Sequence, residues 1–278
     1  MLPQINDAMP TLDRLLVTGA AGQLGTMLRE KLPPLIGDLA ASIRWSDLVE
    51  VEEGGANEEC VVCDLADADA VRDLVAGCDG IVHLGGVSVE RPWAEILPAN
   101  IVGVHNLYEA VRKTDPTTRI VFASSNHAIG YYEQTQTLDA SVPQKPDGFY
   151  GVSKCFGEAM ASFYHSKFGI ETASLRIGSC TPEPLDHRML ATWLSEDDFV
   201  RFIQAVMRAP RLGCPVVYGA SNNDRSWWSN RLTRHIGWVP EDNAEDFAAK
   251  VEQQERPDRD AAVSRYQGGK FTDYPIYE

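Results

Sequence analysis

The sequence predicts an α/β fold in which a doubly wound parallel sheet is covered by helices on both faces. Apolar runs of strand length alternate with segments of helical period, which is the pattern of successive βαβ units. Most of the strand-like runs are continuously apolar, as expected for strands that are buried on both faces. With 278 residues, of which 44% are hydrophobic, the chain is long enough to build one large α/β core.

The predicted strands and helices alternate along most of the chain. We expect strands at 14–18, 42–46, 59–63, 80–84, 118–124, 171–177 and 214–218. We expect helices at 23–32, 67–76, 92–113, 148–167, 195–209 and 224–236. The stretch 180–188, which contains two prolines, is predicted to be a loop, and the polar tail from Gln254 onward is expected to wrap the surface. No linker separates two independent domains, so the region after residue 178 is interpreted as a small cap.

Charge and targeting signals exclude several classes of partner. The formal net charge of −15 at pH 7 disfavours binding to nucleic acid or to an anionic membrane. No apolar run approaches the length of a membrane span, and residues 1–13 have neither the basic nor the apolar region of a signal peptide. We therefore expect a cytoplasmic protein whose first 13 residues form a loose extension.

The cysteines do not predict a metal site. Cys60 and Cys63 have the spacing of a metal or redox pair, but they lie in a predicted strand. Residues three apart on a strand point to opposite faces, and no second ligand pair follows. A structural role is the favoured interpretation.

A glycine-rich turn joins the first predicted strand to the first predicted helix. Gly19, Gly22 and Gly25 occupy the positions that a dinucleotide-binding turn requires. Gly19 would allow the tight turn, Gly22 the approach of a pyrophosphate, and Gly25 the close packing of helix on strand. The free N–H groups at the start of the helix would then bind the phosphates. An ordinary strand–helix turn is the alternative interpretation.

The ends of the other strands provide further candidate contacts to the cofactor. A carboxylate at Asp47 would accept hydrogen bonds from the ribose hydroxyls and repel a 2′-phosphate, which predicts NAD rather than NADP. Arg44 is expected on the opposite face of that strand. For Asp47, and for the later strand ends, an ordinary turn residue is the alternative. The remaining candidate cofactor contacts are Gln23, Leu24, Leu48, Asp64, Leu65, Leu84, Gly85, Gly86, Ser124, Tyr150, Lys154 and Ile177.

Tyr150 and Lys154 form a candidate acid/base pair. They are four residues apart in a predicted helix and therefore share a face. A tyrosine pKa of about 10 makes a poor base near neutral pH, and a neighbouring ammonium lowers that pKa. Ser124 and Ser125 end the preceding strand, where alternation directs one of them to the site, and we favour Ser125 as the group that positions a substrate oxygen. Together with the glycine turn, this catalytic set of Tyr150, Lys154 and Ser125 predicts hydride transfer.

These motifs resemble the extended short-chain dehydrogenase/reductase superfamily. Longer stretches, among them Phe122-Ala-Ser-Ser-Asn-His127 and Arg176-Ile-Gly-Ser-Cys-Thr-Pro-Glu-Pro184, resemble its uronate dehydrogenase family. The resemblance implies a Rossmann-type NAD-binding domain at 14–178 and a substrate-cap region at 179–278, with a strand near 214–218 returning to the same globule. It also implies self-association into a homo-oligomer.

The same resemblance implies an activity and a set of sugar-binding residues. The reaction would be NAD-dependent oxidation of D-glucuronate or D-galacturonate at C1 to an aldarolactone that opens to the aldarate, with Tyr150 as the base. The sugar site would be lined by Ser88, Ser125, Asn126, His127, Tyr150, Ser179 and Arg188. Arg188 would bind the uronate carboxylate, because its planar guanidinium suits bidentate pairing.

Two alternatives remain open. One is a sugar epimerase or another sugar dehydrogenase on the same scaffold, although the segment from Arg176 departs from the Arg-x-x-Asn-x-Tyr-Gly-Pro pattern of nucleotide-sugar epimerases. The other is a catalytically silent NAD-binding sensor, which the intact spacing of Tyr150 and Lys154 disfavours. Net NADH production with uronates would discriminate among them.

Overall fold

The computed structural model describes residues 11–52, 54–258 and 260–277. The strands are β1 (Leu12–Thr18), β2 (Ala40–Asp47), β3 (Glu58–Val62), β4 (Gly80–His83), β5 (Arg119–Ser125), β6 (Leu138–Asp139), β7 (Thr172–Ile177), β8 (Ser179–Cys180), β9 (Trp193–Leu194), β10 (Val216–Gly219) and β11 (Trp228–Ser229). The helices are α1 (Gln23–Lys31), α2 (Ala68–Val75), α3 (Trp93–Ile96), α4 (Val104–Thr114), α5 (Phe149–Phe168), α6 (Met189–Thr192), α7 (Glu196–Arg208), α8 (Ala248–Val251) and α9 (Ala262–Arg265).

A seven-stranded sheet forms the centre of the fold. Its order is β10-β7-β5-β4-β1-β2-β3, and every neighbouring pair is parallel. The strand order reverses between β1 and β4, and ligands of such sheets bind in the crevice outside the carboxyl ends at this point. The predicted α/β class and the doubly wound parallel sheet are confirmed.

Each face of the sheet is covered by its own apolar core. Leu15 and Val17 of β1 pack into one cluster together with residues of α1 and α7. Leu16, between them, faces the other cluster, which includes residues of α2, α4 and α5. Because successive strand residues serve opposite cores, the strands are apolar throughout, as the sequence indicated.

The predicted sheet strands and long helices are found with small shifts of their ends, with two exceptions. The segment predicted as a helix at 92–113 is helical from Trp93 onward but is not a single α-helix, because a π-helical segment, Leu97–Gly103, lies between α3 and α4. The helix predicted at 224–236 is wrong: the chain there forms β11 and a 3-10 helix, Arg231–Ile236. Trp228 of β11 pairs with Leu138 of β6 and stacks on Tyr218 at 5.2 Å between ring centroids, so tertiary packing overrides the local helical pattern.

The predictions for the two chain ends need correction. Strand β1 begins at Leu12, inside the predicted extension, whose first ten residues lie outside the described part of the chain. The tail does more than wrap the surface, because Gln267 is completely buried. Its side chain accepts a hydrogen bond from Trp228 Nε1 at 2.8 Å and donates to the carbonyl of Gln136 at 2.9 Å. Within the described residues, no helix has the length and apolar character needed to span a membrane.

Candidate active site

A cleft of about 620 Å³ opens at the carboxyl ends of the central strands. Every residue that the sequence analysis proposed for the cofactor lines this one cleft: Gly19, Gly22, Gln23, Leu24, Gly25, Asp47, Leu48, Asp64, Leu65, Leu84, Gly85, Gly86, Ser124, Tyr150, Lys154 and Ile177. The fold therefore brings the glycine turn and the Tyr150–Lys154 pair, some 130 residues apart in sequence, into a single cavity.

The glycine turn has the shape that a dinucleotide requires. Gly19 has φ +77°, a left-handed conformation that strongly favours glycine. A Cβ on Gly25 would lie 2.1 Å from the carbonyl oxygen of Gly19, so only a glycine lets α1 start this close to β1. Gly22 stands before α1 and lines the cleft, where the first N–H groups of the helix can meet a phosphate.

The side chain of Asp47 is hydrogen-bonded to the backbone of this turn. Its carboxylate accepts from the backbone N–H of Ala21 at 2.9 Å and from that of Leu48 at 2.7 Å. Arg44 is buried and points away, where its side chain pairs with Glu59 at 2.9 Å and donates to the carbonyl of Leu74. The predicted opposite orientation of these two side chains is confirmed, and the arrangement suits ribose hydroxyls better than a 2′-phosphate.

Tyr150 and Lys154 share the face of α5 that borders the cleft. Lys154 Nζ lies 5.4 Å from the centroid of the Tyr150 ring and 5.4 Å from that of Phe122. Burial lowers the pKa of Lys154 to about 8. Burial also raises the pKa of Tyr150 to about 12, although hydrogen bonding with Ser125 opposes this rise. The expected lowering of the Tyr150 pKa is thus not found here, because desolvation of the phenol dominates.

The two serines at the end of β5 point in different directions. Ser124 Oγ donates to the buried carboxylate of Glu158 at 2.6 Å. Ser125 Oγ lies on the side of Tyr150 and accepts from the backbone N–H of His127 at 3.2 Å. The structure therefore leaves the hydroxyl of Ser125, the serine favoured above, as the one beside the phenol.

The seven residues proposed for the sugar fall into two groups. Ser88, Ser125, His127 and Tyr150 line the cleft, whereas Asn126, Ser179 and Arg188 lie outside its lining. Of the latter three, Arg188 contacts both of the others. Arg188 Nη1 donates to Ser179 Oγ at 3.4 Å, and in the amide orientation that satisfies both of its ends, Asn126 Oδ1 accepts from Arg188 Nη2 at 2.7 Å.

Among the described residues, the hydrogen-bonding partners of Arg188 are all neutral. Besides Ser179 and Asn126, its guanidinium donates through Nε to the carbonyl of Gln267 at 2.8 Å. Within the described ranges, no carboxylate lies within salt-bridge distance of it, and burial lowers its pKa. A guanidinium withdrawn from water without a counter-charge favours an anionic ligand.

Residues that the sequence analysis missed hold the catalytic helix and the nearby loop. Both carboxylate oxygens of Glu90 accept backbone hydrogen bonds at the start of α5, from Phe149 and from Tyr150, each at 2.9 Å. Asn100, in the π-helical segment, accepts from the N–H of Val87 at 2.7 Å and donates to its carbonyl at 2.9 Å. No local sequence pattern predicts these roles, because each side chain forms hydrogen bonds with the backbone of another segment of the chain.

Two further residues that were missed surround His127. Asp147 Oδ2 lies 2.8 Å from His127 Nδ1, and the ring of Phe271 stacks on the imidazole at 3.7 Å between centroids. Phe271 belongs to the 3-10 helix Gly269–Asp273 in the tail that was expected only to wrap the surface. The segment Gly269–Asp273 thus contributes a ring contact to the candidate site.

The seven-stranded parallel sheet, the glycine turn and the Tyr–Lys pair define a Rossmann-type protein with a dinucleotide-dependent active site. The NAD dependent epimerase/dehydratase family model matches residues 15–196. The chain is 59% identical over 268 residues to the uronate dehydrogenase of Agrobacterium fabrum, which covers 96% of this chain and 99% of that protein. It therefore belongs to the NAD dependent epimerase/dehydratase family and, within it, to the uronate dehydrogenases.

Solved structures agree with this assignment. A uronate dehydrogenase from Agrobacterium tumefaciens, a tyrosine-to-alanine mutant complexed with NAD, matches with a TM-score of 0.92 and 58% identity over 96% of this chain and 99% of that one. The glucuronic acid dehydrogenase of Chromohalobacter salexigens matches with a TM-score of 0.92 and 56% identity, covering 96% of this chain and 98% of that one. The resemblance drawn from the sequence motifs is confirmed.

Proposed function

We propose that the cleft oxidises the C1 hydroxyl of D-glucuronate and D-galacturonate, with NAD as the hydride acceptor. The chain is an NAD-dependent uronate dehydrogenase, as its relatives at 50–59% identity are named. The observation that carries the proposal for the site is the meeting of the glycine turn and the Tyr150–Lys154 pair in one cleft, beside an arginine without a carboxylate partner.

The residues present fit the cofactor. The turn at Gly19, Gly22 and Gly25 would hold the pyrophosphate, Asp47 the adenosine ribose, and Lys154 the nicotinamide ribose. The close approach that only Gly25 permits and the fixed carboxylate of Asp47 support this assignment. When bound, NAD supplies the carbon that accepts the hydride from C1.

Tyr150 is the proposed general base. As the phenolate it takes the proton of the C1 hydroxyl while the C1–H electron pair leaves as hydride, so that C1 becomes the carbonyl carbon of an aldarolactone, which water then opens to the aldarate. Ser125, next to the phenol, positions the reacting oxygen. Lys154 Nζ lies 5.4 Å from the centroid of the Tyr150 ring, where its positive charge would stabilise the phenolate once the proton has left.

Arg188 is the proposed carboxylate-binding group. Its guanidinium is fixed by Asn126, Ser179 and Gln267, all neutral, and the carboxylates of Asp147 and Asp186 act on its charge only from beyond salt-bridge distance, so a direct ion pair is left for the uronate to make. This would place the carboxylate at one end of the sugar site and C1 near Tyr150 at the other.

The test is the Tyr150→Phe variant, assayed by NADH absorbance with uronates and neutral sugars, and with NAD and NADP in parallel. We expect kcat with glucuronate to fall by roughly 10²–10⁴-fold, the usual contribution of a general base. The Kd for NAD should change less than about twofold, because only a hydroxyl is lost.

Tyr164→Phe provides the matched control. Tyr164 lies on the same helix but donates to Glu109 at 2.8 Å, on the side of α4, so its loss should leave kcat unchanged. A native kcat in Tyr150→Phe would refute the assignment of the base. NAD binding without NADH production by the native protein on any sugar acid would instead favour a silent sensor.

We also infer, from the resemblance alone, that the chain self-associates and works in the cytoplasm. Light scattering of the purified protein would test the first inference, and fractionation of the source cells the second.

A further inference from the structure

The imidazole of His127 is fixed on three sides. Nδ1 lies 2.8 Å from Asp147 Oδ2, the ring of Phe271 stacks on one face at 3.7 Å, and the ring of Tyr150 meets it edge-on at 5.7 Å. The backbone is fixed as well, since the N–H of Asp147 donates to the carbonyl of His127 at 3.3 Å. His127 also lines the cleft, so one of its edges is held by the protein and the other faces the substrate cavity.

The carboxylate of Asp147 occupies a space that the chain leaves open for it. The side chain has no exposed surface, and Oδ1 is buried with no hydrogen-bond partner. A Cβ on Gly130 or on Gly268 would lie 1.9 Å from Asp147 Oδ2. The carboxylate therefore fits only if both positions, which are far apart in sequence, are glycine. Burying a carboxylate in this way is costly, and among the described residues its one side-chain hydrogen bond is with His127 Nδ1.

We propose that Asp147 is a positioning residue that keeps the proton of neutral His127 on Nδ1, so that Nε2 accepts a hydrogen bond from a hydroxyl of the sugar. This inference rests on the proposed function, because it concerns the uronate in the same cleft. A neutral imidazole has one donor and one acceptor nitrogen, and a carboxylate at Nδ1 requires the donor to be there. Nε2 then carries a lone pair that can only accept a hydrogen bond. A sugar with a hydroxyl facing Nε2 would therefore bind better than one that lacks it.

The tautomer can be measured on the native protein. A long-range ¹H–¹⁵N correlation spectrum at mildly alkaline pH should show His127 protonated at Nδ1 and unprotonated at Nε2, with the signals assigned by comparison with His127→Gln. His165 lies away from the site, and its Nδ1 is 3.2 Å from the backbone carbonyl oxygen of Ile170. It therefore provides an internal reference. A proton on Nε2 of His127 would overturn the proposal, whatever the variants do.

Kinetics of Asp147→Leu and Asp147→Asn separate a positioning role from a merely structural one. We expect Asp147→Leu to raise KM for glucuronate by about tenfold, the effect of one lost hydrogen bond, while the Kd for NAD stays within about twofold. Asp147→Asn keeps an oxygen that accepts from Nδ1–H, so KM should return to within about threefold of the native value. Asp115→Leu is the control, because Asp115 lies in a turn before β5, at the opposite end of the sheet.

Substrate analogues locate the effect. Among glucuronates that each lack one ring hydroxyl, one should show a raised KM with the native enzyme and no further rise with Asp147→Leu. A further rise of equal size with every analogue would contradict the proposal, as would an unchanged KM in Asp147→Leu. These outcomes differ from failure of the proposed function, in which the native enzyme itself would produce no NADH from uronates.

Discussion

Two positively charged side chains in this site, Arg188 and Lys154, are surrounded by neutral groups. Arg188 donates to Gln267 and Ser179, and Lys154 lies over the rings of Phe122 and Tyr150. Within the part of the chain that the structure describes, neither cation forms a salt bridge. Each is therefore available to an anion, and the anions we propose are the carboxylate of the uronate for Arg188 and the phenolate of Tyr150 for Lys154.

Replacing Arg188 by Met should remove the selectivity for sugar acids. Loss of a buried charge-assisted pair typically costs about 2–5 kcal/mol, so we expect KM for glucuronate to rise roughly 30-fold or more. Oxidation of a neutral hexose, which has no carboxylate, should be nearly unchanged. Steady-state kinetics with both substrates measure this difference, and Arg211→Met, at an exposed arginine, is the control. An equal loss with both substrates would show that Arg188 only supports the fold.

At the scale of the helix, the position of α5 depends on a cap that comes from another part of the chain. Glu90 is buried and accepts the N–H groups of Phe149 and Tyr150, at the helix end where a negative charge is stabilising. Gly148 makes room for it, since a Cβ there would lie 2.4 Å from Glu90 Oε2. The cap therefore ties the start of α5, with Tyr150, to the loop that follows Gly86.

Glu90→Ala should affect both stability and catalysis. Loss of an N-terminal cap costs about 0.5–2 kcal/mol of the free energy of unfolding, which urea titration measures. We expect kcat with glucuronate to fall as well, because Tyr150 loses the contact that fixes its backbone. The control is Asp67→Ala, because Asp67 Oδ1 caps α2 by accepting a hydrogen bond from Asp69 N at 3.0 Å. Its loss should lower the free energy of unfolding without lowering kcat. If the two variants behave alike in kcat, Glu90 has no special role in catalysis.

At the scale of the whole molecule, a histidine in the core couples stability to pH. His83 ends β4 with 1% of its surface exposed; Nδ1 lies 2.8 Å from Thr18 Oγ1, and Nε2 has no hydrogen-bond partner in the described part of the chain. Burial, together with the charge of Lys154, lowers the pKa of His83 from 6.5 to about 3. The folded protein thus holds this histidine neutral well below the pH at which the unfolded chain protonates it.

Acidification should therefore destabilise the fold. Because the folded pKa lies below the unfolded one, the unfolded state binds the proton first, and the free energy of unfolding falls as the pH drops from 6.5 towards 3. One such group contributes a slope of about 1.4 kcal/mol per pH unit, or roughly 2 kcal/mol between pH 6.5 and 5. Urea titrations across this range should show a flatter dependence for His83→Gln than for the native protein. An unaltered slope in His83→Gln would refute the prediction.

Much of the fold could be predicted because its signals are local. The alternation of apolar strands and helical segments predicted the positions of the sheet strands along the chain, and Gly19, Gly22 and Gly25 marked the turn between β1 and α1. The segment 224–236 was predicted wrongly because Trp228 pairs with Leu138, some 90 residues earlier. Such a contact leaves no periodic trace in its own neighbourhood.

The sequence by itself determined the class of fold, the dinucleotide turn and the Tyr150–Lys154 pair, because each depends on spacings within one strand or one helix. Only the tertiary structure decided that Glu90 caps α5, that Asp147 holds His127, and that Phe271 and Gln267 bring the end of the chain to the site. Hydrogen bonds and ring contacts depend on distance in space, and the folded chain brings together groups that are up to 170 residues apart.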